Sequence, residues 1–112
     1  MSLQDDFDAA TAASLQAELD RFGNDCWYDP RRKRIIYNSP DAALHAYMIL
    51  QALEMERHKW IESEKAAHDL REFSLSDWVR KHSMAFRRYW HRTHVFAVSS
   101  GQTRPFDASA MR

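Results

Sequence analysis

The chain has 112 residues, 45% of them hydrophobic and 12% aromatic, and this composition predicts one folded domain and excludes a disordered chain. Sixteen Lys and Arg residues balance sixteen Asp and Glu residues, whereas a dedicated nucleic-acid-binding domain is usually basic overall. Cys26 is the single cysteine, which excludes a disulfide within these residues and a thiolate-based zinc cluster.

The amino-terminal sequence MSLQDDFDAA has neither the basic segment nor the apolar segment of a secretory signal. No apolar run approaches the roughly 20 residues that span a bilayer. We therefore expect a cytoplasmic protein that makes no membrane contact.

The charges balance over the whole chain but not locally. Residues 1–30 carry seven acids against one base, and residues 78–112 carry seven bases against one acid. Such zoning arises when acidic and basic segments pack together within one fold or across an oligomer, or when a basic surface binds an external polyanion. Zero net charge favours the first explanation.

Two elements are predicted in residues 2–39. Residues 2–23 predict a helix, because acids lie in its first turns and Leu15, Leu19 and Phe22 recur at helical spacing before Gly23. Residues 24–39 predict a short β-hairpin, since the β-favouring stretches CWY and RIIY flank a turn-forming Asp-Pro. Basic residues crowd the hairpin tip.

A long helix is predicted from Pro40 to about Leu70, with Ser39 as its N-cap. Between Ala42 and Met55 this helix is apolar nearly all round, which is typical of a helix that is buried or shared with a second subunit. The second half is charged over most of its circumference, as expected of a helix that projects from a core. The candidate protein-interface residues are Leu44, Tyr47, Met48, Met55 and Trp60.

The last predicted helix starts after Ser76, a candidate N-cap, and runs to about His94. A packing seam is predicted at alternating spacings of three and four residues: Val79, His82, Phe86, Tyr89, Thr93 and Phe96. At 100° per residue the bases fall largely on the opposite side, as a cationic outer stripe. Residues 99–112 are predicted to be a flexible tail, so that residues 1–98 form one small helical domain.

The cationic stripe differs from a surface that stacks bases, because single-strand binders interleave aromatics with cations on one face. It still suits phosphate contacts that tolerate any sequence. The candidate residues for contact with nucleic acid or another polyanion are Arg31, Arg32, Lys33, Arg34, Arg80, Lys81, Arg87, Arg88 and Arg92.

No pattern predicts catalysis, a metal or a cofactor. The E-x-x-x-H pairs Glu54/His58 and Glu64/His68 lie about 15 Å apart along a helix, so they cannot share one ion unaided. Cys26 lacks the local signature of a catalytic cysteine. We expect no catalytic residue, no metal and no cofactor.

These observations predict a mainly α protein: an N-terminal helix, a short β-hairpin, and a long central helix antiparallel to a C-terminal basic amphipathic helix. The predicted function is that of a small cytoplasmic, non-enzymatic binding or assembly module that acts through helix–helix protein contacts, with self-association or another protein as partner. Two alternatives stay open. One is a nucleic-acid-associated protein that uses the cationic stripe and the hairpin tip, and the other is a metal-binding or enzymatic helical protein.

Overall fold

The computed structural model describes the backbone of residues 3–66 and 71–108 and the side chains of residues 3–61 and 76–108. Within these ranges the fold is mixed α/β, with four helices and one four-stranded sheet. The helices are α1 (Leu3–Asp6), α2 (Ala9–Phe22), α3 (Pro40–Ala66) and α4 (Arg71–Thr93). The strands are β1 (Cys26–Asp29), β2 (Arg34–Tyr37), β3 (His94–Ala97) and β4 (Thr103–Pro105).

Two side-chain caps set where α2 and α3 begin. The carboxylate of Asp8 accepts a hydrogen bond from the Thr11 backbone N–H at 2.8 Å, so the predicted first helix is divided into α1 and α2 at this residue. That bond is the main reason why the pKa of Asp8 is lowered. Ser39 Oγ accepts from the Ala42 backbone N–H at 3.1 Å, which confirms the predicted N-cap of α3.

The sheet has the strand order β1-β2-β3-β4. The predicted hairpin is present, with β1 and β2 antiparallel and Trp27 opposite Ile36. β2 pairs with β3 in parallel, and β3 pairs with β4 in antiparallel register. A two-stranded hairpin is only marginally stable alone. Here β3 and β4, which the sequence analysis did not predict, extend the hairpin to a four-stranded sheet.

The α3–α4 pair connects β2 to β3 and is antiparallel. Tyr47, early in α3, packs against Trp90, late in α4, with ring centroids 5.3 Å apart. At the other end, His58 Nε2 lies 2.9 Å from an Asp77 carboxylate oxygen near the start of α4. A parallel strand pair requires a crossover of this kind.

The prediction for the start of the last helix was wrong, because α4 begins at Arg71 rather than after Ser76. The neighbour of Ser76, Asp77, is engaged with basic side chains instead of marking a first turn. The predicted seam was also wrong in part: Val79 is 51% exposed. Trp78 and Trp90, which the 100° projection places on the same side as the seam, are buried, at 3% and 1% exposure. The predicted end of α3, at Leu70, lies outside the described residues.

The core lies between the helices and one face of the sheet. Its largest fully buried side chains are Trp90, Tyr37, Phe106, Leu15, Ile35 and His94. None of the helices in the described part of the chain is long and apolar enough to cross a membrane.

The segment predicted to be a flexible tail, residues 99–112, includes the strand β4, and Phe106 of this segment lies in the core, whereas residues 99–105 are exposed. Phe106 has no exposed surface, and its backbone N–H donates to the His94 carbonyl at 3.0 Å. Its ring lies 5.0 Å from that of Trp90 and 4.8 Å from that of Tyr47. β4 spans three residues, too few to show the alternation that would have predicted it.

The substitution Phe106→Ala is expected to destabilise the protein by about 3 to 5 kcal/mol, because it opens a cavity against Trp90 and Tyr47. Urea unfolding followed by tryptophan fluorescence measures this. Arg104→Ala, at an exposed position of β4, is the control and should cost less than about 0.5 kcal/mol. Equal small losses for both variants would contradict a structural role for Phe106.

Candidate binding site between the helices

A groove runs between α3 and α4, and α2 closes only part of it. We call the covered part the inner cleft; it has a volume of about 430 Å³, with Glu18, Leu53 and Trp90 among its lining residues. The uncovered part, which we call the outer groove, has a similar volume of about 430 Å³ and includes His58, Ile61, Trp78 and His82. Glu54 and Phe86 line both parts, so the two adjoin each other.

A buried acid–base cluster forms the floor of the inner cleft. Glu18 of α2 is 4% exposed and His94 of β3 is fully buried. His94 Nε2 lies 2.9 Å from both carboxylate oxygens of Glu18, and Tyr37 donates its hydroxyl proton to Oε2 at 2.5 Å. A carboxylate can only accept, so His94 is protonated at Nε2 and donates. Burial, followed by the charge of Glu18, raises the pKa of Tyr37 well above its usual range.

The other ring nitrogen of His94 meets a hydroxyl. Thr93 Oγ1 lies 2.7 Å from His94 Nδ1 and 2.6 Å from the Tyr89 carbonyl. Thr93 has one hydroxyl proton to donate. Its oxygen therefore bridges the Tyr89 carbonyl and the His94 ring. The Trp90 ring stacks on His94 at a centroid distance of 3.6 Å.

Cys26 lies on the other side of this cluster. Its Sγ donates to the Phe22 carbonyl at 3.3 Å. Burial, with a smaller contribution from Glu18, raises the pKa of the Cys26 thiol to about 11. The thiol therefore stays protonated at neutral pH, which disfavours a nucleophilic role.

A second charged cluster lies beside the outer groove. Asp77, 5% exposed, is 2.8 Å from Arg80, 3.1 Å from Lys81 and 2.9 Å from His58. Arg80 first, then His58 and Lys81, hold the pKa of Asp77 well below its usual range. The His82 ring lies 5.2 Å from that of His58. No three acidic, histidine or cysteine side chains converge as metal ligands among the described residues.

The predicted polyanion contacts fall into three groups. Arg80 and Lys81 are exposed but pair with Asp77 of their own helix. Arg34 and Arg87 are half-buried. The exposed remainder consists of Arg31, Arg32 and Lys33 in the hairpin turn and Arg88 and Arg92 on α4.

The hairpin turn and the end of α4 lie at the same edge of the sheet. β2 and β3 are parallel, with Ile35 opposite His94. Paired strands lie about 4.8 Å apart. The turn that precedes β2 and the helix that precedes β3 therefore lie side by side. This brings Lys33 and Arg92 into one region, a proximity that the sequence analysis did not derive.

The predicted interface residues are also divided. Tyr47 is 5% exposed and belongs to the core, and Leu44 and Met55 are half-buried. Met48 and Trp60 are 61% and 67% exposed. Two further apolar side chains of α3, Leu53 and Ile61, are 45% and 39% exposed.

The buried Glu18–His94 pair was missed because its members are 76 residues apart in the chain. Glu18 belongs to an acidic run that suggests an exposed helix flank. Nothing local in the sequence distinguishes it from its neighbours. Of the two E-x-x-x-H pairs, His58 bonds Asp77 rather than a metal-site partner, and the Glu64/His68 pair lies outside the described side chains.

The substitution Asp77→Asn is expected to destabilise the protein at neutral pH, by an amount that shrinks in acid. The folded-state pKa of Asp77 lies below its ordinary value of 3.8, so the stabilisation is fully present above about pH 4 and is lost as the pH falls further. Urea unfolding of both proteins between about pH 7 and pH 2 measures the difference. Glu56→Gln, at a 55% exposed side chain, controls for net charge, and a gap that stays constant at low pH would contradict this assignment.

Comparisons with known proteins reveal no relative: no protein-family model, no curated protein and no solved structure matches the chain. The site is therefore interpreted from its own residues.

Proposed function

We propose that the chain is a binding and assembly module that self-associates through the projecting end of its α3–α4 hairpin. We define this end, the arm, as residues 54–61 of α3 and 77–86 of α4. The proposed occupant of its apolar surface is the arm of a second copy. Two such hairpins would combine into a four-helix bundle, an arrangement that buries the apolar faces of both pairs.

The observation that carries this proposal is the exposure of large apolar side chains along the arm and its base. Trp60 is 67% exposed, and Leu53 and Ile61 are 45% and 39% exposed. Beside them, the outer groove between α3 and α4 stays open. Exposed apolar groups that lie together on a surface indicate a protein contact, and tryptophan is enriched where such contacts are strongest.

Charge complementarity favours a second copy over an unrelated partner. Within the arm, exposed acids such as Glu56 lie on α3 and exposed bases such as Arg80 and Lys81 lie on α4. A two-fold axis between two arms would let α3 of each copy face α4 of the other, so that these opposite charges meet twice. The net charge of zero means that no overall repulsion opposes the pairing.

The substitution Trp60→Glu is expected to weaken self-association by at least about 2 kcal/mol, or roughly 30-fold in the dissociation constant, because it places a charge at the apolar contact. Light scattering across a concentration series measures the mass. Trp27→Glu is the matched control, since Trp27 is also half exposed, at 50%, but lies on β1.

The expected result is a dimer for the wild type and for Trp27→Glu, and a monomer for Trp60→Glu. A wild type whose mass stays that of one chain at every concentration would refute self-association. A dimer lost equally in both variants would refute the arm as its interface.

A second candidate function is the binding of a polyanion such as nucleic acid at the sheet edge described above. It is supported by the proximity of Arg31, Arg32 and Lys33 to the carboxyl-terminal end of α4, where Arg88 and Arg92 are exposed. Such contacts neutralise phosphates, so affinity falls as the salt concentration rises.

The substitution Arg92→Glu is expected to weaken binding to a single-stranded oligonucleotide about tenfold and to make the salt dependence shallower by about 0.7, the value of one phosphate contact. Gel retardation over a salt series measures both. Arg57→Glu, at a 72% exposed side chain of the arm, is the control and should leave both unchanged. No retardation of the wild type at low salt would remove this candidate.

A further inference from the structure

We propose that the inner cleft is a binding site for a small organic cation, such as an amine or quaternary ammonium compound attached to an apolar group. This goes beyond self-association: the cleft shares Glu54 and Phe86 with the arm, but its α2 lining and Trp90 lie outside the arm. Three features support it: an enclosed floor, aromatic walls and an excess of carboxylates.

The size and floor of the inner cleft suit a small molecule. Its volume, about 430 Å³, lies within the range of known ligand sites, roughly 300 to 1,000 Å³. The floor includes Trp90, 1% exposed, and Glu18, 4% exposed. Both are fixed by contacts with His94, so this end of the site is pre-organised.

The walls contribute aromatic rings that attract cations. Phe86 and Tyr89 line the cleft beside the floor residue Trp90, and the negative face of such a ring attracts an ammonium or guanidinium group. Tyr89 already shows this behaviour, since the Arg92 guanidinium lies 6.0 Å from its ring centroid.

The charges of the cleft also favour a cation. Two carboxylates, Glu18 and Glu54, line it against one base, Arg21. Arg21 lies over the Phe22 ring at 5.9 Å, and the exposed Arg57 only weakly offsets Glu54 at 3.7 Å.

The electrostatic effects on the Tyr89 hydroxyl agree with the excess of carboxylates over bases in the lining. Burial and then the charge of Glu18, with further contributions from Asp8 and Glu54, raise the pKa of the Tyr89 hydroxyl, and Arg92 opposes them. Glu18 thus acts on Tyr89 as a negative charge, in line with the two carboxylates and one base that line the cleft. An anionic ligand would meet repulsion where a cation meets attraction.

The binding test uses three probes that share one ring and differ in charge: benzyltrimethylammonium, benzyl alcohol and benzoate. Titration of the full chain, followed by NMR shifts of the tryptophan indole N–H groups and by calorimetry, gives the affinities. The cation is expected to bind about tenfold more tightly than the alcohol and to shift Trp90 rather than Trp27. Binding of benzoate as tight as that of the cation, or no binding of the cation, would overturn the proposal.

Variants separate the cleft from the rest of the surface. Glu54→Gln, at a 44% exposed side chain that can change without disturbing the core, is expected to weaken cation binding about fivefold. Glu56→Gln removes the same charge from the same helix outside the cleft and should leave the affinity unchanged. Equal losses in both variants would overturn the site. The Trp60→Glu variant should bind the cation as well as the wild type does, so this result is independent of self-association.

Discussion

The contact of Glu18 with His94 and Tyr37 is the constraint on which the rest of the structure depends. It is the point where α2, β2 and β3 meet, and it joins an acidic residue near the beginning of the chain to a histidine near its end. A buried carboxylate without partners would cost several kcal/mol. Tyr37 and His94 supply the hydrogen bonds that Glu18 needs, and these bonds hold α2 against β2 and β3. Trp90 is placed in turn by stacking on His94.

The position of α2 in turn divides the groove between α3 and α4. Where α2 covers the groove, Glu18 and the aromatic side chains of α4 form a pocket of small-molecule size. Beyond the end of α2, no third layer among the described residues covers the same two helices, and apolar side chains such as Trp60 remain exposed. One pair of helices thus offers two surfaces of different chemistry, because the third helix is shorter than the other two.

Local signals predicted the elements that are specified locally. The cap at Ser39 and the hairpin of β1 and β2 depend on neighbouring residues, and both are present. β3, β4 and the burial of Phe106 depend on contacts between distant segments, and short strands carry too few residues to show a period. The start of α4 was misplaced because Ser76 and Asp77 resemble a cap in isolation, whereas Asp77 is occupied by Arg80, Lys81 and His58.

The candidate site shows the same division. Periodicity found the apolar side chains of α3, but it could not show which of them the sheet would cover, so Tyr47 is buried while Leu53 is exposed. The basic residues were identified from composition. The pairing of Arg80 and Lys81 with Asp77 is local to α4. The approach of the hairpin turn to Arg92 depends instead on strand register, which one sequence does not reveal.

The parallel pairing of β2 with β3 has a consequence for folding during synthesis. Tyr37 ends β2, but its neighbouring strand is made only after both long helices have been translated, and Phe106 follows later still. Until then the hairpin has a free strand edge, Glu18 has no histidine partner and the Trp90 ring lacks one of its packing surfaces. The nascent chain therefore passes through a stage in which its helices can pair while its sheet cannot close, and contacts of such long sequence separation form slowly.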